Sequence, residues 1–473
     1  MFFVFFLTLL TNLWAKEPSV FRLSLISEPA SLLPHDQKSA GSAYLFSQMH
    51  SPLLWYQDGK LIPRLANCKY VNPKAITCEF FQNIKFSNGE SITPEHYQKM
   101  INDFLDPKTP GQRADLLEPI EKTEVQNNKL KITLKKPDSD FIYNLANPIL
   151  SPQFHSRSNF PTDAKKIVTS GPYVISEYDS KDKIKLKPNP FFPRKSKKPA
   201  PNLEFKFIAE DSVGLSLYQK SELDFLRRLP TLYIEKYKNN PEFYFIDQFR
   251  FDYIGLNSNL TETKRALLTE NLNYIDLQNL FQAKPRPGCV GIPERLYLKK
   301  TCYEFKKANS SQAENKTYTY LFSKQGGDDH QRAAEWTQAE WKKNLGIQIE
   351  LKSLENKIFL QNLQNSPPDF FRKGLAPDRP TCLSILNNFT PSGKENYLKL
   401  NDKELNIIVN KLDGELNSHK KKQLCQKGLD LIMSKKILIP TGPISFAILA
   451  KTGFSGWRLN ELNVLDLSEL ERK

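Results

Sequence analysis

Apolar residues along the chain follow two rhythms, and each predicts a different element. In "VFRLSLIS" Phe21, Leu23 and Leu25 alternate with other residues, the period-two pattern of a half-buried strand. "SGPYVISEYDSKDKIKLKPNP" carries two such runs joined by "DSKD", which predicts a hairpin. Residues 61–90 read as a meander, with Asn88-Gly89 marking a turn. In "TPEHYQKMINDFL" the period lengthens. Tyr97, Met100, Ile101 and Phe104 share one helical face, Thr93 suits the cap and Pro94 the first turn. The segment 317–353 is the most legible unit. "TYTYLFS" is a strand, "DDHQRAAEWTQAEWKKNLG" a helix capped by Asp328 or Asp329 and closed by Gly346, and "IQIELKSL" a second strand. A strand, a helix of that length and a strand predict a right-handed parallel crossover, so the chain is expected to be an α/β assembly in lobes.

Length and composition sharpen this picture. At 473 residues the chain exceeds what one core supports, so two or three domains are expected. The apolar run "MFFVFFLTLLTNLWA", followed by polar chain, fits a cleaved signal peptide over residues 1–15 and an exported, periplasmic, soluble protein. The formal net charge of +15 is spread in small lysine clusters with no nucleic-acid-reading motif, so nucleic acid is not an expected partner. Six cysteines suit an oxidising compartment. Cys68 and Cys78 flank a strand-turn-strand pattern and Cys289 and Cys302 bracket one loop, which leaves Cys382 and Cys425 as a default pair. No CxxC, HExxH, GxSxG, P-loop or GxGxxG occurs, and the six histidines have no ligand spacing. Neither a metal nor a cofactor is expected, and the absence of a reaction centre points to binding rather than catalysis.

Taken in order, several motifs resemble the family 5 extracellular solute-binding proteins, the oligopeptide- and dipeptide-binding components of ABC importers. They are "LSLISEPASLLPH", "SPLLWYQDGKLIPRLA", "CEFFQNIKFSNGESITPEHY", "SGPYVISEYDSKDKIKLKPNPFF", "FDYIGLNSN", "GIQIELKSLENKIFLQNL" and "DFFRKGLAPDRP". The resemblance implies a two-lobed periplasmic binding protein of type II with an additional domain inserted in lobe I. Lobe I would comprise 16–50, 160–250 and 437–473, the inserted domain 51–159, and lobe II 251–436. Crossings near 250 and 437 would serve as hinges for closure around a ligand.

The same resemblance places ligand contacts in "DFFRKGLAPDRPTC". Asp378 falls where family members pair an aspartate with a peptide's α-ammonium. Gly374, Leu375 and Ala376 fall on the strand that adds main-chain bonds to the peptide, and Arg372 matches an arginine that reaches a carboxylate end. The chain departs from the family at Leu375, where a Trp is usual, and at Arg379, a basic neighbour placed to pair with Asp378. The expected partners are a peptide or other small solute and a membrane permease, with the protein a monomer and no chemical step. The same fold binding a metal chelate, haem, opine or sugar, or acting as a sensor, is the alternative, and an exported hydrolase a lesser one.

Overall fold

A computed structural model describes residues 19–37, 40–280, 287–306, 316–324, 328–442 and 445–473. The expected signal peptide lies outside these residues, as do the side chains of Asp328 and Asp329.

The chain folds around three main sheets. The largest has seven strands in the order Phe243–Asp247, Ser445–Ala450, Phe225–Leu226, Val20–Leu25, Asn202–Phe207, Lys183–Pro188 and Tyr173–Asp179. Its strand Val20–Leu25 follows the alternation read from the sequence: Phe21, Leu23 and Leu25 are buried against Tyr44, Leu45 and Met49 of the helix Ala43–Met49. The expected hairpin is there too, with Tyr173–Asp179 antiparallel to Lys183–Pro188. Lys181 turns the connection with a positive φ of 68°.

A four-stranded antiparallel sheet, in the order Ala66–Asn72, Ala75–Phe80, Lys129–Leu134 and Ile120–Gln126, lies within 66–134. The helix Pro94–Phe104 covers it, burying the predicted face of Tyr97, Met100, Ile101 and Phe104. The Thr93 backbone N–H donates to His96 Nδ1 at 3.2 Å, which closes the helix start. Gly89 turns the chain after Asn88 with a φ of +88°.

The third sheet has five strands in the order Gln348–Leu354, Thr317–Ser323, Phe370–Leu375, Phe251–Leu256 and Leu438–Gly442. Thr317–Ser323 and Gln348–Leu354 pair in parallel across the helix Asp328–Leu345, as their spacing predicts. Both faces are covered. Phe371 and Leu375 pack into one apolar cluster with the helices Lys403–Gly414 and Ser418–Ser434, and Phe370 packs into another with Trp341. Strand Leu438–Gly442 belongs to this sheet, and Ser445–Ala450 to the seven-stranded one.

Three disulfides form: Cys68–Cys78 across neighbouring strands, Cys289–Cys302 within one loop, and Cys382–Cys425 between two helices. All three pairs match those expected. No helix among the described residues is long and apolar enough to cross a membrane.

Candidate ligand-binding site

Strand Phe370–Leu375 is paired along its whole length with Phe251–Leu256. On its other edge it meets Thr317–Ser323 only at Phe370 and Phe371. At the end of the strand Gly374 is half-buried and Ala376 exposed, which is where another extended backbone could join.

Strand parity sets what each side chain meets. Leu375 falls with Phe371 and is fully buried in the core. Arg372 and Gly374 fall with Phe370 on the opposite face, where Asp252 is the register partner of Gly374. Arg372 is 2% exposed, and its Nη2 stands 3.6 Å from Asp252 Oδ2. Arg250 Nε donates to Asp252 Oδ1 at 2.5 Å. A Cβ at Gly374 would overlap both Asp252 Oδ1 and Arg250 Nη2, so glycine is what lets this ion cluster cross the strand.

The electrostatics follow from burial and charge. Burial raises the Asp252 carboxyl, but Arg250 and Arg372 outweigh that, and its pKa falls below the ordinary aspartate value. His330, in the first turn of the helix Asp328–Leu345, is pushed down to about 3, first by burial and then by the guanidinium of Arg372. It faces Asp252, Arg250 and Arg228 as well. The cluster is thus a neutral imidazole and a carboxylate among arginines.

A second group of charges sits past the end of the strand. Asp378 accepts two parallel bonds from Arg113, Nη1 to Oδ1 at 3.1 Å and Nη2 to Oδ2 at 2.7 Å. The Asp378 side chain is 43% exposed. Arg113 also donates from Nε to Asp115 Oδ1 at 3.2 Å. Arg379 does not turn to its neighbour Asp378. Its Nη1 grips both oxygens of Asp138 at 2.9 and 2.8 Å, and its Nε donates to Asn144 Oδ1. The Ser384 hydroxyl donates to the Arg379 carbonyl, and Thr381 caps the helix Cys382–Leu386, which the Cys382–Cys425 bridge ties to Ser418–Ser434. The loop 376–381 is held firmly at both ends.

Of the residues singled out by sequence, Arg372 and Gly374 are brought together around Asp252, while Asp378 and Ala376 lie exposed beyond them. The residues that sequence reasoning missed are Arg113, Arg250, Asp252 and His330. Asp252 did leave a signal, a lone charge inside the apolar run "FDYIGL". Arg113 left none, because its contact to Asp378 spans 265 positions.

Residues 60–276 match the family model of bacterial extracellular solute-binding proteins, family 5 Middle. The oligopeptide-binding protein OppA of Bacillus subtilis is 22% identical, over 91% of this chain and 88% of its own. The probable deoxycholate-binding periplasmic protein YgiS of Escherichia coli is 20% identical, over 89% of this chain and 87% of its own. Among solved structures, the ABC transporter substrate-binding protein CtaP of Listeria monocytogenes superposes with a TM-score of 0.83 at 15% identity, covering 97% of this chain and all of its own. The architecture is therefore that of a type II periplasmic binding protein. The match over 60–276 and these relatives make the chain similar to the family 5 extracellular solute-binding proteins, the family that the ordered motifs resemble.

Proposed function

We propose that this protein is an exported binding protein that captures a peptide or peptide-like solute between two lobes and hands it to an ABC import permease, acting as a monomer without a chemical step. One lobe would be built on the seven-stranded sheet and the other on the five-stranded sheet, with the four-stranded unit inserted at about 51–159. The connection at 247–251 would be one hinge. The carrying observation is the end of strand Phe370–Leu375, where the register with Thr317–Ser323 stops at Phe371 while Gly374 is half-buried and Ala376 exposed, so that an extended ligand could pair there. Such backbone bonds are indifferent to side-chain identity, which suits capture of varied peptides. The family match and the name of the Bacillus relative support this reading.

Native mass spectrometry of the purified protein, followed by denaturation and identification of what is released, tests it. An intact peptide supports the reading; a released solute without peptide bonds overturns the peptide assignment. A second reading has its own observation. Asp378, the candidate amine anchor, already holds Arg113, which favours a solute with no ammonium to offer.

A further inference from the structure

The segment 113–144 grips the loop 376–381 from two sides. Arg113 reaches Asp378, while Asp138 and Asn144 receive Arg379. Beside them, Lys421 Nζ donates to Asp140 Oδ1 at 2.6 Å, and Ser139 donates from its N–H to the Asp413 carbonyl at 2.7 Å and from its hydroxyl to the Leu412 carbonyl at 2.8 Å. Arg113 is anchored from behind, because Leu116 and Leu117 pack into the core under the four-stranded sheet. Its fork therefore meets Asp378 as part of a broad polar contact rather than as a stray surface pair.

From this geometry we infer that Arg113 is a specificity-determining residue: it serves as a built-in counter-ion that closes Asp378 to a ligand ammonium and selects peptides lacking a free amine at that end. The inference rests on the peptide reading above. The physical argument is one of competition. A ligand ammonium is a compact point charge that would have to displace two parallel guanidinium bonds. The displaced Arg113 would keep only Asp115. An N-acylated peptide has no such exchange to make, and it can still lay its backbone beside Gly374 and Ala376 at the strand end. Discrimination thus comes from what the site refuses as much as from what it holds.

The test is native mass spectrometry of the wild type, R113Q and R113K, each incubated with an equimolar mixture of a random tripeptide library and its N-acetylated copy. The wild type should retain acetylated over free members by about fivefold or more. R113Q should raise retention of free-amine members by about tenfold, the scale of one lost charge-assisted contact, and R113K should fall between. Adding D378N to R113Q should cancel the gain, because the carboxylate that receives the amine is gone. An acetylated-to-free ratio within about twofold of wild type in both single variants would overturn the role of Arg113 while leaving the peptide reading in place. Retention of no tripeptide by any form would remove both.

Discussion

Two charge clusters flank the same short strand, and they are built from the same chemistry in opposite surroundings. At Arg372, an aspartate and two arginines are packed under the helix Asp328–Leu345, with Asp252 and Arg372 each 2% exposed. At Asp378, a carboxylate and a guanidinium meet in better bidentate geometry but within reach of water, the side chains 43% and 23% exposed. Geometry alone would rank the exposed pair as the stronger. Solvent reverses that ranking for stability: the buried carboxylate cannot be removed without stranding its partners, whereas the exposed pair can dissolve into water at little cost. The buried cluster is placed to hold the fold together, and the more exposed pair is the one to which we assign ligand selection.

Substitutions on the two sides should separate these roles, beginning with the largest effect. Asp252→Ala leaves Arg250 and Arg372 without their carboxylate and should destabilise the protein by about 3–5 kcal/mol in urea unfolding. A loss under about 1 kcal/mol would mean that the cluster is not closed to water as described. Arg379→Ala strands Asp138, which is 7% exposed and accepts two of its bonds, and should cost about 2–3 kcal/mol.

The buried side should also respond to pH. His330 is held neutral in the folded chain down to about pH 3, whereas the unfolded chain takes up a proton near its ordinary value. Between those two values the unfolded state binds more protons, so stability falls as pH falls. His330→Gln should remove about 2 kcal/mol of the loss between pH 7 and pH 5, read as a flatter plot of unfolding free energy against pH. Asp252 works in the same sense at lower pH, since its depressed pKa gives a stabilisation lost as pH drops through it. The smallest effect belongs to the exposed pair. Arg113→Gln should change stability by less than about 1 kcal/mol, and that difference should shrink further in salt, even though ligand selection changes. A larger, salt-independent loss would make Arg113 a structural residue and erase the contrast.

How far the sequence could be read depended on how local each feature was. The helix Pro94–Phe104 and its buried face, the hairpin of Tyr173–Asp179 and Lys183–Pro188, and the parallel pair around Asp328–Leu345 are each specified within a few dozen residues. Their periodicity is visible in a short window. Strand Phe370–Leu375 shows where that fails. Phe370, Phe371 and Arg372 are all buried because both faces of the sheet are covered, so no alternation announces which side each residue takes. Leu375, read as a ligand-strand residue, turns its side chain into the core for the same reason. Leu438–Gly442 joins the five-stranded sheet through a pairing with Phe251–Leu256 that no local pattern records.

By itself, the sequence determined the α/β class, the family resemblance, the three cysteine pairs and the strand that carries the candidate site, since these rest on periodicity, ordered motifs and neighbouring pairs. Only the tertiary structure decided which charges meet. Arg379 sits beside Asp378 in sequence and yet turns to Asp138, while the guanidinium that fills Asp378 comes from position 113. The reason is physical: a carboxylate takes the partner whose fork the fold delivers at bonding distance, and adjacency along an extended chain points neighbouring side chains apart.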